Sequence, residues 1–178
     1  MSPEYLGVSD DIKLISLFYN AFSLSEGQKE GALIATLVGE LSGLLGSQEV
    51  LCLGIKAGAD LDAAVFFSKL TTEDDVTLYM LSPLAVKTSR QGQGLGTQLL
   101  NYSFDQLKRM NIDAVVTYGD PKYYERFGFK AVSEQVIAAP KPLSMPQGWM
   151  AKALNKAELP ILSSRPRCVA PFDDQRYW

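Results

Sequence analysis

The 178-residue chain contains no histidine, and this absence excludes several kinds of site at once. Serine–histidine and cysteine–histidine nucleophile pairs are excluded, as are the commonest zinc sites. Acid–base chemistry therefore depends on other side chains, on water or on the ligand. The only cysteines, Cys52 and Cys168, lack the spacing of metal ligands. Cys52 lies in an apolar run and is predicted to be a buried core thiol, and no disulfide is expected.

Long apolar runs and a basic charge excess are also missing. No run approaches the roughly 18 residues of a membrane span, and the N-terminal Met-Ser-Pro-Glu does not have the pattern of a signal peptide. The net charge of −3 does not indicate the basic face of a nucleic-acid binder. These observations predict a cytoplasmic protein that binds neither nucleic acid nor membrane.

The composition is that of an ordinary globular protein, with 47% hydrophobic and 21% charged residues. The length fits one domain, residues 1–178, with a core over residues 1–138. Residues 139–178 contain most of the prolines and are predicted to pack on that core as an extension.

Periodicity and turn residues predict an alternating order of helices and strands. Helices are predicted over residues 12–22, 33–44, 95–110 and 122–127. Strands are predicted over residues 50–56, 63–70, 76–86, 113–118, 129–137 and 149–154. This order is typical of an α/β domain with a mixed sheet.

The most informative segment is the glycine-rich turn at residues 92–96, between a predicted strand and an amphipathic helix. Glycines let the backbone approach a ligand, and the first N–H groups of the helix then attract phosphate. A Walker loop is excluded because Thr97 is not preceded by lysine. A dinucleotide fingerprint is disfavoured because Thr97 occupies the position of its third glycine. A glycine-rich connection without any ligand remains an alternative.

The pattern Gln91-x-x-Gly94-x-Gly96 resembles the GNAT superfamily of acyl-CoA-dependent N-acetyltransferases. In that family the amides of this loop hold the pyrophosphate of coenzyme A. Lys87 and Arg90 flank the loop, where their charges either assist phosphate binding or belong to ordinary solvated surface. The resemblance also implies a mostly antiparallel central sheet with a splayed, bulged strand and helices on both faces.

Pro83 lies inside the third predicted strand, although proline cannot donate to a strand ladder. The resemblance offers a reason, because the corresponding GNAT strand is bulged and diverges from its neighbour. Its free backbone groups pair with the pantetheine arm, which would give Leu84 and Val86 main-chain contacts to the cofactor. An early end of the strand at Pro83 is the alternative.

A second motif, Gly-Asp-Pro-Lys-Tyr-Tyr-Glu-Arg-Phe-Gly-Phe at residues 119–129, resembles the GNAT element after the fifth strand. It is similar to one bacterial branch of predicted acetyltransferases. Tyr124 matches the family's general acid, which protonates the departing thiolate; the alternative is a core aromatic residue. Asp120 either caps the short helix, which we favour, or contacts pantetheine. Tyr123 is expected to contribute mainly packing.

The resemblance implies an acetyl transfer from acetyl-CoA to a primary amine of a small molecule or peptide, by direct attack in a ternary complex. The catalytic residue is Tyr124, no metal is expected, and a homodimer is a possible assembly. The cofactor contacts are assigned to Leu84, Ala85, Val86, Arg90, Gln91, Gly92, Gln93, Gly94, Leu95, Gly96, Thr97, Asp120 and Tyr123.

The general base is the one departure from the family pattern. Many GNAT enzymes carry a glutamate on the bulged strand, but residues 77–86 contain no carboxylate. Water, a backbone carbonyl, Tyr79 or a carboxylate from the first two predicted helices, such as Glu40, remain candidates, and so does selection of a neutral amine. The missing base keeps open an alternative function, a non-catalytic CoA-binding or regulatory module on the same fold.

Overall fold

The computed structural model describes residues 2–178, which form a mixed sheet and four α-helices. The strands are β1 Glu4–Tyr5, β2 Val50–Ala57, β3 Asp60–Leu70, β4 Leu78–Val86, β5 Ala114–Tyr118, β6 Lys130–Ala131 and β7 Trp149–Ala153. The helices are α1 Asp11–Glu26, α2 Gln28–Ser42, α3 Leu95–Arg109 and α4 Pro121–Tyr124. No helix between residues 2 and 178 is long and apolar enough to cross a lipid bilayer.

The sheet order is β1-β2-β3-β4-β5-β7-β6. β4 and β5 run parallel, whereas β1 with β2, β5 with β7, and β6 with β7 are antiparallel. The parallel pairing of β4 with β5 follows from their connection through α3, because parallel neighbours need a crossover whereas antiparallel ones need only a turn. The mixed, mostly antiparallel sheet predicted from the sequence is confirmed.

The chain forms two compact units. The first holds the chain up to Phe67 together with Pro83–Ser103, and the second holds Ser68–Ser82 with Phe104–Trp178. β3, β4 and α3 each run from one unit into the other. The single-domain organisation expected from the length stays a prediction.

The first unit is built on α1 and α2, whose buried residues recur every three or four positions. Gly27, at φ +99°, separates the two helices in a conformation that suits glycine. Phe18 packs against Phe66 of β3 with ring centroids 5.7 Å apart. The buried hydrophobic side chains of the two helices are Leu14, Leu17, Phe18, Ala21, Ile34, Leu37, Val38 and Leu41.

The second unit centres on β5, which is almost fully buried between β4 and β7. Trp149 of β7 packs against Trp178, and each indole N–H donates to a backbone carbonyl at 2.8 Å. These aromatic residues, with Phe172, therefore serve as a packed core. The proline-rich residues 139–178 all belong to this unit.

The predicted strand over residues 129–137 is wrong. Only Lys130–Ala131 is a strand, because the amides of Val136 and Ile137 turn back to donate to the carbonyl of Ser133. The two-residue β1 was not predicted, since its pairing with β2 is a long-range contact that no local pattern signals.

Candidate functional site

The glycine-rich turn of the first unit follows β4 and a single 3-10 turn at Thr88–Arg90. Gly92 and Gly94 adopt φ angles of +72° and +80°, the left-handed region that favours glycine. A Cβ atom built on either glycine would meet no atom within 4 Å. One side of the turn is therefore open to a ligand, and α3 begins directly after it at Leu95.

Backbone N–H groups are concentrated in this turn without internal partners. Among residues 2–178, the structure records no acceptor for six consecutive amides, those of residues 92–97. The next amide, that of Gln98, donates to the carbonyl of Gly94 at 2.9 Å and starts the helical pattern. A helix N-terminus normally leaves four amides without an intrahelical acceptor, and the glycine turn adds two more directly before them. Consecutive free N–H groups at the positive end of a helix form an anion-binding concavity.

Two glutamines hold the turn in place. The side-chain amide of Gln91 donates to the carbonyl of Val86 at 3.2 Å, and that of Gln93 donates to Ser89 at 3.3 Å. Both side chains therefore stabilise the loop itself. The backbone amide of Gln91 also donates within the loop, to the carbonyl of Thr88 at 3.3 Å, so only that of Gln93 is left for a ligand.

The two basic residues beside the turn are each paired with an aspartate at the start of β3. Lys87 binds Asp60 at 3.1 Å, and Arg90 binds Asp62 at 3.1 Å through its Nε atom. Asp60 is exposed, whereas the side chain of Asp62 is only 4% exposed. Asp62 is not among the predicted site residues, although an acidic residue within the apolar run 61–67 is an available signal.

In the second unit, β4 separates from β5 directly before Pro83. The paired register ends at Leu81 and Thr117, while β5 continues for one further residue. The hydroxyl of Thr117 donates to the carbonyl of Leu81 at 2.9 Å and closes the ladder. The loss of pairing at this position is what the proline predicts, because it has no N–H to donate.

The short helix of the second motif is fixed at both ends. The Asp120 side chain accepts the Lys122 amide at 3.0 Å, so Asp120 is a helix cap as favoured from the sequence. Gly128 ends the following 3-10 turn at φ +83°, and the ammonium of Lys152 donates to the carbonyl of Phe127. The segment that carries Tyr124 is therefore held in one conformation.

Tyr124 lies on this helix with its ring partly buried. The ring contacts Tyr123 and Phe129 edge-on, at centroid distances of 5.1 and 5.6 Å. Its hydroxyl is hydrogen-bonded to Thr117, and burial raises the pKa of Tyr124 to about 12. The phenol therefore keeps its proton throughout the physiological range.

Tyr123 has a different environment. The guanidinium of Arg126 lies 4.7 Å from the centre of its ring, and the ring also contacts Phe127. Burial raises the pKa of Tyr123 as well. These are packing contacts, and a contact of Tyr123 with the cofactor stays a prediction.

The ring of Tyr124 packs directly against the backbone of Gly119. A Cβ atom at Gly119 would lie 2.8 Å from Cε2 of Tyr124, closer than real contacts allow.

We expect Gly119→Ala to displace the ring, to lower stability by about 1–3 kcal/mol and to reduce turnover, because the packed site has no room for a methyl group. Urea unfolding and turnover measurements test this. Gly7→Ala, where a Cβ meets nothing within 4 Å, is the control with an expected change below about 0.5 kcal/mol. If the Gly119→Ala protein is as stable and as active as the original, the close packing of Gly119 against Tyr124 does not matter for the site.

The predicted site residues fall into two groups. Residues 84–97 belong to the first unit, and Asp120, Tyr123 and Tyr124 belong to the second. The base candidates are also separate, because Glu40 is exposed on α2 and Tyr79 is buried on β4. The positions of Glu40 and Tyr79 do not identify either residue as the general base.

Comparison with known proteins matches the stretch that contains both motifs to one family model. Residues 52–131, from within β2 to the end of β6, match the acetyltransferase (GNAT) domain. The uncharacterized N-acetyltransferase YhbS of Escherichia coli K12 is 39% identical over 84 residues, which are 45% of this chain and half the length of that relative. The uncharacterized N-acetyltransferase YjhQ of the same strain is 28% identical over 149 residues, 80% of each chain.

Solved structures agree with the fold. The crystal structure of YhbS from Escherichia coli with CoA superposes with a TM-score of 0.78 at 24% identity, covering 97% of this chain and 92% of that one. A GNAT acetyltransferase from Brucella melitensis with acetyl-CoA gives a TM-score of 0.68 at 22% identity, covering 96% and 97%. The domain match over residues 52–131, the sequence relatives and the solved structures agree, and the chain is similar to N-acetyltransferases of the GNAT superfamily.

Proposed function

We propose that this protein transfers an acetyl group from acetyl-CoA to a primary amine of a small molecule or peptide. The observation that carries the proposal is the run of six partnerless amides at residues 92–97, at the start of α3. Such a run suits a pyrophosphate, which offers several anionic oxygens to one concave backbone surface. Relatives of the same fold are solved with CoA and with acetyl-CoA, which supports that choice of ligand.

In this proposal the cofactor is held mainly by backbone groups. Gly92, Gly94 and Gly96 leave the amides accessible because none of them carries a side chain. Arg90 adds a charged contact to phosphate. The backbone of residues 84–86, which follows the end of the β4–β5 pairing, takes the pantetheine arm as an added strand.

The chemical step is attack of the amine nitrogen on the thioester carbonyl. The carbon–nitrogen bond forms, the carbon–sulfur bond breaks, and the electron pair of that bond moves to sulfur. Tyr124 donates its phenolic proton to the departing sulfur and regains one from solvent, while the nitrogen releases one proton to solvent or to a base. A phenol with a pKa of about 12 is a weaker acid than a thiol. Its main contribution is therefore a hydrogen bond that stabilises negative charge as it develops on sulfur.

The raised pKa of Tyr124 predicts the pH dependence. We expect kcat/KM to rise with pH as the acceptor amine, with a pKa of about 10.4 for an alkylamine, loses its proton. The falling limb from ionisation of Tyr124 is expected only near pH 12, since the acid must stay protonated and burial delays its ionisation. Initial rates between about pH 6 and 10 measure this. A falling limb below pH 10 in a protein that remains folded contradicts the role of Tyr124.

A second candidate is a non-catalytic CoA-binding or regulatory module. It is favoured by the absence of any carboxylate on β4, where a general base is expected for this family. Under this alternative the amides of the turn bind CoA in the same way, but no amine is acetylated.

Acceptor screening separates the two candidates. The protein is incubated with acetyl-CoA and with polyamines, amino acids, aminoglycosides or peptides, and free CoA is measured against the rate without amine. Calorimetry with CoA is run in parallel. Amine-dependent release supports the transferase, tight binding without release supports the module, and absence of binding refutes both.

The cytoplasmic location and the homodimer stay predictions.

A further inference from the structure

Asp62 is a buried carboxylate that no part of the proposed mechanism uses. It lies near the start of β3, and its side chain is only 4% exposed. Its one side-chain partner among residues 2–178 is Arg90, whose Nε atom lies 3.1 Å from Oδ2. Its backbone carbonyl also accepts the amide of Lys87 at 2.7 Å. Asp62 therefore holds the segment before the glycine turn through both its backbone and its side chain.

The buried ion pair of Asp62 with Arg90 is not explained by a contribution to the stability of the fold alone. Removing a carboxylate from water is costly, and a buried ion pair often contributes little net stability. Arginine and carboxylate pair most strongly through two parallel hydrogen bonds, yet this pair has one. The single bond uses Nε and leaves both terminal nitrogens of Arg90 without a protein partner among the described residues.

The neighbouring pair provides a contrast. Lys87 and Asp60 are also 3.1 Å apart, but their side chains are 43% and 71% exposed. Such a pair is screened by water and fixes neither side chain. Only the buried carboxylate restricts its partner, which makes Asp62 the residue that determines where Arg90 points.

We propose that Asp62 is a positioning residue, which orients Arg90 so that its terminal nitrogens bind a phosphate of the cofactor. The inference rests on the proposed function and adds a residue to it. It makes a directional prediction, because a carboxylate acts on phosphate binding in two opposite ways. Its charge opposes the phosphate, whereas its hydrogen bond reduces the entropy that Arg90 loses on binding.

Two substitutions separate these effects. Asp62→Ala removes both charge and acceptor, and we expect the dissociation constant for CoA to rise about tenfold, the loss of one oriented charge-assisted hydrogen bond. Asp62→Asn removes the charge but keeps an acceptor oxygen for Nε, so its affinity should remain within about twofold of the original or become tighter. In turnover assays, most of the loss in Asp62→Ala should appear in KM for acetyl-CoA rather than in kcat.

A double-mutant cycle distinguishes positioning from general support of the fold. Calorimetry with CoA is performed on Asp62→Ala, Arg90→Ala and the double variant, with urea unfolding of each. If Asp62 acts through Arg90, the alanine at position 62 changes the affinity no further once Arg90 is gone. Asp60→Asn is the control, and we expect its dissociation constant to change less than about twofold.

The outcomes are distinct. An equal loss of affinity with and without Arg90, or tighter binding by Asp62→Ala, overturns the positioning role. Failure of the unmodified protein to bind CoA refutes the proposed function instead, and is seen before any variant is compared. If Asp62→Ala is too unstable to measure, Asp62→Asn still tests the proposal, because a rise of its dissociation constant well beyond about twofold in a folded protein would contradict a role carried by the acceptor oxygen.

Discussion

Gly94→Asp should abolish CoA binding, with the dissociation constant raised at least about 100-fold. The new carboxylate would stand among the six partnerless amides, at the position proposed for the pyrophosphate. It would accept those amides itself and repel the phosphates, and like charges in such contact cost several kcal/mol. Calorimetry with CoA and with acetyl-CoA measures the loss.

The structure indicates that this variant folds. A Cβ atom at Gly94 meets nothing within 4 Å, so no atom has to move. The φ of +80° strains most side chains, but aspartate tolerates the left-handed region better than most residues. The expected effect is therefore one of charge at the loop, not of unfolding.

Two matched variants test that interpretation. Gly46→Asp has the same change at φ +94° with equally open space, in the loop after α2, and its affinity should change less than about twofold. Gly94→Ala carries the strain without the charge, and its loss should be clearly smaller than that of Gly94→Asp. Undiminished CoA affinity in Gly94→Asp would falsify the assignment of the turn.

Tyr124→Phe is expected to lower kcat about 100-fold or more while CoA affinity stays within about twofold. The substitution removes only the hydroxyl, so the ring keeps its contacts with Gly119, Tyr123 and Phe129. Thr117 remains satisfied as a donor, because its own proton goes to the carbonyl of Leu81. The fold therefore loses one hydrogen bond, about 1 kcal/mol, and the reaction loses its donor to sulfur.

Tyr118→Phe is the matched control in the same unit. The Tyr118 hydroxyl contacts Ser144 at 3.0 Å and accepts the Met145 amide at 2.7 Å, so its removal also costs structural hydrogen bonds. We expect lower stability but a fall in turnover of less than about threefold. If Tyr124→Phe turns over like Tyr118→Phe, the hydroxyl of Tyr124 is not the proton donor. Unchanged turnover combined with intact CoA binding would assign the step to another group.

Local features of the site were predictable because their causes lie within a few residues of one another. The glycines of the turn, the start of α3 at Leu95, and the Asp120 cap each follow from the chemistry of neighbouring residues. Pro83 likewise predicted where the pairing of β4 with β5 ends, since a missing N–H is a property of the residue itself. The resemblance to GNAT enzymes followed from two motifs with the right order and spacing, and the domain match covers both.

Long-range packing determined the rest. Arg90 pairs with Asp62 across 28 positions, and although the apolar run around Asp62 signals its burial, no local pattern names Arg90 as its partner. The two-residue β1 has the same cause, because pairing between distant segments depends on the assembled sheet. Burial around Tyr124 raises its pKa, and no sequence pattern states how deeply a hydroxyl lies. Local sequence thus specified the turn and its ligand chemistry, while tertiary contacts decided the partner of Arg90 and the acidity of Tyr124.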